Sequence, residues 1–112
     1  MAENYIYLNY RIVPRQKAVL SVGDPGFLYG QGLFETMRAY NGRVFALEQH
    51  IKRLFLSLPV VRLKLPFSAK RIKEAVYLTL KANRLKEAYV RLMVWQGEKG
   101  VNPVRKGFSN GV

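Results

Sequence analysis

The sequence of 112 residues contains no cysteine and a single histidine, His50. The lack of cysteine excludes disulfides, thiolate metal sites and a cysteine nucleophile. One histidine cannot form a histidine cluster, so we expect no metal site. No apolar run approaches the length of a membrane span, and residues 1–4 lack a signal-peptide pattern. We therefore expect a cytoplasmic protein without a membrane partner.

Acidic residues are scarce, since seven Asp and Glu stand against 19 Lys and Arg and leave a net charge of +12. Such a charge attracts nucleic acid, acidic lipid or phosphorylated ligands. A basic solvated surface, or the loss of an acidic remainder, would also explain it. Apolar residues make up 49% of the chain, which is enough to bury a core in one domain.

Residue patterns predict an α+β fold, a mainly antiparallel sheet with two helices on one face. Strand-forming residues with alternating polarity predict strands at 5–8, 11–13, 33–40 and 89–95, with a further short strand or extended segment at 19–22. Asn41-Gly42 predicts a hairpin after the third of the main strands. Helical spacing of apolar residues predicts one helix from Leu47 to before Pro59 and a second from the N-cap Ser68 to Asn83.

We expect the domain to span residues 1–98 and to be followed by an irregular tail at 99–112. Glycine, proline and polar residues dominate the tail, and no periodicity is present in it. Gly100-Val101 recurs as Gly111-Val112. The tail is therefore interpreted as repeat-derived or as a truncated linker.

Each of two predicted strands places an arginine among aromatic residues on one face. The groups are Arg38 with Phe34 and Tyr40, and Arg91 with Tyr89 and Trp95. If both faces point into one cavity, that cavity suits an anionic ligand with an apolar body. The alternative is that both arginines reach solvent across aromatic surface.

Residues 24–42, with the sequence DPGFLYGQGLFETMRAYNG, resemble the N-terminal signature of the class IV pyridoxal-phosphate enzymes. That family includes branched-chain aminotransferases, D-amino-acid aminotransferases and aminodeoxychorismate lyases. Residues 47–54 resemble the next helix of the family, and residues 89–92 resemble its strand before the interdomain linker. The resemblance extends over roughly the whole predicted domain, with the motifs in the family's order.

The resemblance implies pyridoxal 5'-phosphate as cofactor and Arg53 as the residue that binds its phosphate. A guanidinium suits phosphate oxygens, although a solvated helix cation is the simpler reading of Arg53 alone. In the branched-chain branch the resemblance also implies substrate contacts for five residues, which are Tyr29, Phe34, Arg38, Tyr89 and Arg91. It implies no catalytic residue in this chain. Glu35 is expected to form a structural ion pair or hydrogen bond, and His50 to flank the helix rather than act as a base.

Three positions depart from the usual family pattern. Pro25 stands where an arginine is usual, Gln31 where an acid is usual, and Gln96 where D-amino-acid aminotransferases and the lyases tend to have an arginine. The last of these favours the branched-chain branch. In the family the lysine that binds the cofactor covalently lies in a second domain, and no lysine of this chain matches it.

We therefore interpret the chain as the N-terminal portion of an aminotransferase that moves an amino group between an amino acid, branched-chain favoured, and a 2-oxo acid. Without the missing C-terminal domain it is expected to be inactive, and the full-length enzyme is expected to form a homodimer. The alternatives are a lyase of the same family, a small basic nucleic-acid-binding module, and a non-catalytic relic that only dimerises. Nucleic acid is the less favoured partner, because no recognised binding motif is present.

Overall fold

The computed structural model describes residues 4–98 and 110–111 of the chain. The described residues form six strands, namely β1 (Tyr5–Leu8), β2 (Arg11–Pro14), β3 (Gly32–Tyr40), β4 (Arg43–Val44), β5 (Ala88–Gln96) and β6 (Asn110–Gly111). The α-helices are α1 (Pro25–Leu28), α2 (Leu47–Ser57) and α3 (Ala69–Ala82). Short 3-10 turns occur at Arg15–Lys17 and Leu58–Val61. The predicted α+β class is confirmed.

The main sheet has the strand order β4-β3-β5-β6, and its central pair is antiparallel from Gly32 opposite Trp95 to Ala39 opposite Ala88. Alternation along β3 and β5 buries one face of this pair, which includes Met37, Leu92 and Val94. β4 pairs only with the last two residues of β3. From Leu33 to Met37 the other edge of β3 therefore has no strand partner among the described residues.

The two long helices cover the buried face of the sheet, as the sequence predicts. Leu47, Ile51 and Leu54 of α2 and Ile72 of α3 are buried against that face. The Oγ of Ser68 accepts a hydrogen bond of 3.1 Å from the backbone N–H of Arg71, which confirms the predicted N-cap. The helices therefore hold β3 from one side and leave its other face outside the core.

The β1–β2 hairpin forms a separate two-stranded sheet that lies against α3. Asn83, at the end of α3, fixes it through its side chain. The backbone N–H of Tyr5 donates to Asn83 Oδ1 over 2.8 Å, and Asn83 Nδ2 donates to the carbonyl of Tyr5 over 2.9 Å. One amide group therefore ends the helix and also binds the hairpin as a neighbouring strand would.

Two local expectations need adjustment. Residues 19–22 form no strand, and the one-turn helix α1, which the residue patterns do not predict, lies before β3. Pro25 occupies the first helical position, where its missing N–H costs nothing, and the carbonyl of Asp24 accepts from the N–H groups of Phe27 and Leu28. The dipeptide Asp24-Pro25 carries this helix-start signal.

The tail predicted at 99–112 falls mostly outside the described residues. Asn110 and Gly111 are described, and they pair antiparallel with Gln96 and Trp95. The division of the chain at residue 98 stays a prediction.

Within the described ranges, no helix combines the length and the apolar character needed to cross a bilayer.

Candidate functional site

A buried carboxylate on β3 binds two basic side chains of α2. Glu35 is 7% exposed and accepts from the Arg53 guanidinium, with Nε 3.0 Å from Oε2 and Nη2 2.8 Å from Oε1. Arg53 Nε is also 3.1 Å from Oε1, and His50 Nδ1 lies 2.6 Å from the same oxygen. The expectation of a structural ion pair at Glu35 is confirmed, and His50 serves as its second partner.

The charges in this cluster support one another. Burial raises the pKa of the Glu35 carboxyl, but the hydrogen bonds and positive charges of Arg53 and His50 outweigh it and hold that pKa below its ordinary value. The hydrogen bond and negative charge of Glu35 raise the pKa of Arg53. Glu35 is therefore an anion at neutral pH and Arg53 a cation.

Arg53 keeps most of its hydrogen-bonding capacity. A guanidinium carries five N–H donors, and Glu35 takes the Nε–H and one N–H of Nη2. The other three have no acceptor among residues 4–98, and the Arg53 side chain is 68% exposed. The free edge of this guanidinium suits a phosphate group, because a guanidinium binds phosphate oxygens through paired N–H donors.

The opposite face of β3 and β5 carries two arginine–aromatic contacts. The Arg38 guanidinium carbon is 4.4 Å from the centre of the Tyr89 ring, and that of Arg91 is 4.8 Å from the centre of the Phe34 ring. Strand register explains the first contact, since Arg38 lies directly opposite Tyr89. Arg91 lies opposite Thr36 and reaches Phe34 along the diagonal. Four predicted site residues therefore meet in two cation–π pairs.

Arg38 is held more tightly than an ordinary surface arginine. Its guanidinium also lies 5.4 Å from the Tyr40 ring centre, so aromatic rings of two strands contact it. Its Nε is the one buried side-chain nitrogen or oxygen of the described residues without a hydrogen-bond partner. The rings shield this nitrogen from water and give it only a cation–π attraction in return.

Arg53 does not contact either arginine–aromatic pair. It binds Glu35 on the helix-covered side of β3, whereas Phe34 projects from the other side. Tyr29, the remaining predicted substrate residue, is 80% exposed at the end of α1. The structure thus places an exposed guanidinium with free donors and an aromatic–cationic face on the two sides of one strand.

Asp24 is a polar anchor that sequence reasoning missed. It is 7% exposed, accepts from Trp95 Nε1 over 3.2 Å, and accepts from the backbone N–H of Glu98 over 3.0 Å. These bonds tie the segment before β3 to the end of β5. The helix-start pattern marks Asp24 as a cap, but its side chain instead reaches a residue 71 positions away.

Two of the residues that depart from the family pattern, Gln31 and Gln96, donate side-chain hydrogen bonds to backbone carbonyls. Gln31 Nε2 donates to the carbonyl of Val61 over 3.2 Å, and Gln96 Nε2 donates to the carbonyl of Gly97 over 3.2 Å. The backbone N–H of Gln96 also donates to the carbonyl of Gln31 over 3.0 Å. Gln31 therefore links the start of β3 to the 3-10 turn at Leu58–Val61 through its side chain and to the end of β5 through its carbonyl.

No three His, Asp or Glu side chains of the described ranges are grouped so that they could hold a metal ion.

Comparison with known proteins identifies relatives of this chain. The family described as Amino-transferase class IV matches residues 32–110. A provisionally named branched-chain-amino-acid aminotransferase of Methanocaldococcus jannaschii is 41% identical over 104 residues, which are 91% of this chain and 36% of the relative. The aminodeoxychorismate lyase of Bacillus subtilis is 43% identical over 94 residues, which are 82% of this chain and 32% of that enzyme.

A solved structure has a fold similar to that of this chain. A branched-chain amino acid aminotransferase from T.th., complexed with N-(5'-phosphopyridoxyl)-L-glutamate, superposes with a TM-score of 0.84 at 31% identity. The superposition covers 99% of this chain and 39% of that chain. The chain thus spans about a third of the length of the curated relatives that it matches.

Proposed function

Because the chain belongs to the class IV aminotransferase family, we propose that it forms the phosphate-binding and substrate-contacting part of a pyridoxal-phosphate-dependent aminotransferase. The observation that carries this proposal is that Glu35 occupies only two of the five N–H donors of Arg53. Glu35 holds one edge of the guanidinium, and three N–H donors remain for an anion. Structural similarity to an enzyme solved with a phosphopyridoxyl ligand supports the assignment of that anion as the cofactor phosphate.

In this proposal the cofactor supplies the electron sink for amino-group transfer, and this chain supplies binding and orientation. Arg53 binds the phosphate. The two cation–π pairs form one wall of the substrate pocket. Phe34 and Tyr89 offer apolar surface to an aliphatic side chain, while Arg38 and Arg91 offer positive charge to a carboxylate.

A single ligand can use both sides of β3 because one edge of that strand is open. Glu35 and Phe34 are consecutive residues, so their backbone positions are about 3.8 Å apart although their side chains diverge. A ligand lying across this open edge would be held by Arg53 at its phosphate and by Phe34 at its other end. Tyr29, which is exposed three residues before the start of β3, is proposed as a further substrate contact.

The proposed reaction is transfer of an amino group between an amino acid, branched-chain favoured, and a 2-oxo acid. The relative from Methanocaldococcus jannaschii and Gln96, which departs from the arginine usual in the other two branches, support this choice. The covalently binding lysine is proposed to lie outside this chain, in a C-terminal domain of an enzyme that forms a homodimer. A cytoplasmic location is part of the same proposal.

A lyase of the same family is the second candidate, and the identity of 43% with the Bacillus subtilis enzyme favours it. The two reactions differ in their need for an acceptor. A transaminase turns over only when a 2-oxo acid is present to receive the amino group, whereas a lyase needs none. Omitting the 2-oxo acid from the assay therefore separates the two candidates.

The proposal is tested by grafting residues 1–98 in place of the matching region of the Methanocaldococcus jannaschii relative. We expect the chimera to transfer amino groups from leucine to 2-oxoglutarate, and the 112-residue chain alone to show no turnover. Arg53→Gln should weaken cofactor binding by the chimera, while Lys52→Gln removes the same charge from the neighbouring exposed position and should not. Turnover by the chain alone, or equal cofactor affinity in the two variants, would contradict the proposal.

A further inference from the structure

We infer that Glu35 is a positioning residue, which orients the guanidinium of Arg53 so that its free edge faces the cofactor phosphate. This inference rests on the proposed function and extends it to a residue that does not touch the ligand. His50, one turn before Arg53 on α2, also holds the carboxylate of Glu35 through a contact with Oε1.

The position of Glu35 is set by the sheet. It lies in the middle of β3, directly opposite Leu92 of β5, and its side chain points into the helix-covered side. Strand positions in a paired ladder are more rigid than loop positions, so a carboxylate anchored there gives a fixed reference point. Arg53, on α2, reaches it from the helix layer.

The contact geometry restrains the guanidinium as a plane. Nε and Nη2 of Arg53 both donate to Glu35, and two bonds from one planar group fix its orientation as well as its distance. The bond from His50 Nδ1 over 2.6 Å to Oε1 limits rotation of the carboxylate itself. The donors of Nη1 consequently point away from Glu35, in a direction that the ion pair sets.

A free arginine side chain samples many rotamers and loses that freedom when it binds a ligand. Arg53 is 68% exposed and would be mobile without its partner. Because Glu35 already fixes the Arg53 side chain, less conformational entropy is lost when a ligand binds. Glu35 also partly neutralises the positive charge of Arg53. Positioning therefore predicts weaker anion binding when Glu35 is neutralised, whereas a simple charge effect predicts stronger binding.

The experiment uses the 112-residue chain and two non-covalent probes, pyridoxine 5'-phosphate and pyridoxine. These alcohols cannot form imines with lysines, and they differ only in the phosphate. Glu35→Gln is compared with Glu48→Gln, which removes the same charge from an exposed glutamate of α2 that pairs with Lys73. Binding is followed by NMR titration, and the backbone spectrum of each variant reports whether it is folded.

We expect pyridoxine 5'-phosphate to bind Glu35→Gln about tenfold more weakly than the wild type, at the low end of what loss of a supporting partner costs at metal sites. Glu48→Gln should bind as the wild type does, and pyridoxine should not distinguish the three proteins. Unchanged or tighter phosphate binding by folded Glu35→Gln overturns the positioning role while leaving the proposed function intact. No preference of the wild type for the phosphorylated probe overturns both.

A measurement on the wild type needs no variant. The Nε–H signal of Arg53 should exchange slowly with water, because Glu35 accepts from it, and should stay slow when pyridoxine 5'-phosphate binds. A positioning role requires the ion pair to persist in the complex. Rapid exchange in the complex would show that Glu35 no longer accepts from Nε when the phosphate is bound, and the inference would be wrong.

Discussion

Arg53 is exposed but is held in one orientation by Glu35. The sequence predicts only part of the surroundings that hold it. Alternation along β3 puts Glu35 on the face of Met37, and the structure confirms this placement. The two bonds between Arg53 and Glu35 depend on where α2 crosses the sheet. No local pattern encodes that crossing, so the pairing could not be predicted.

The depressed pKa of Glu35 predicts how stability responds to acid. An unfolded glutamate titrates near 4.5, and the folded carboxyl titrates at lower pH because its basic partners outweigh burial. The ionised carboxylate thus stabilises the fold above pH 4.5, and this contribution is lost as the pH falls through the folded pKa. We expect the wild type to exceed Glu35→Gln in urea midpoint at pH 7 and to exceed it by less at pH 3.

The matched comparison for this prediction is Glu48→Gln, because Glu48 is 73% exposed and its ion pair with Lys73 is screened by solvent. Its urea midpoint should follow that of the wild type at both pH values. A gap between wild type and Glu35→Gln that stays constant from pH 7 to pH 3 would show that the ionised carboxylate is not what stabilises the cluster.

At the scale of elements, α2 shows how helical spacing translates into packing. Leu54 is 1% exposed against the sheet, whereas Leu56, two positions later, is 69% exposed. Leu54→Ala should lower the free energy of unfolding by about 2–5 kcal/mol, because it leaves a cavity in the core. Leu56→Ala makes the same chemical change on the solvent side and should cost less than about 0.5 kcal/mol.

Urea denaturation at constant pH measures both leucine variants. Similar losses for the two would mean that α2 is rotated about its axis relative to the structure described above. That result would also move Arg53 away from Glu35, since both contacts depend on the same face of the helix.

The helix α1 packs closely on β5, and glycine permits it. A Cβ at Gly26 would lie 2.6 Å from the Cβ of Trp95, so α1 must shift to accept it. Gly26→Ala should lower the free energy of unfolding by about 1–3 kcal/mol and change the fluorescence of Trp95. The three atoms nearest to a Cβ at Gly23 all belong to the carboxylate end of the Glu98 side chain, which can move.

Gly23→Ala is therefore the control for Gly26→Ala, and we expect it to leave the Trp95 emission spectrum unchanged. No local pattern in the sequence indicates the contact that requires this glycine. Trp95 is 69 positions further along the chain, and only the folded sheet brings the two together. An unaltered spectrum in Gly26→Ala would contradict the close packing.

At the scale of the whole molecule, the charge of +12 is dispersed rather than concentrated in one nucleic-acid-binding motif. We expect single-stranded oligonucleotides to bind weakly at low salt and to dissociate at moderate salt, because counterion release alone drives such contacts. Fluorescence anisotropy of a labelled oligonucleotide across a salt series measures this. Tight, sequence-selective binding at about 0.15 M salt would support the nucleic-acid-binding alternative instead.

The fold class was predictable because its signals are local and periodic. Strand alternation, the Asn41-Gly42 turn and the Ser68 cap each specify a short segment, and those segments leave few ways to bury their apolar faces. The site was predictable only as a set of residues. Whether Arg53 and Phe34 can serve one ligand depends on how that ligand crosses a strand edge, which short-range patterns do not describe.

The side chain of Asn83 has a dynamic consequence. It holds the N-terminal hairpin by the backbone N–H and carbonyl of Tyr5 and also donates to the carbonyl of Thr79 within α3, over 2.8 Å. Unwinding the last turn of the helix therefore releases the hairpin, and lifting the hairpin exposes the helix end. In hydrogen–deuterium exchange, the amide of Tyr5 and those of the final turn of α3 should open as one cooperative unit, although 78 positions separate Tyr5 from Asn83.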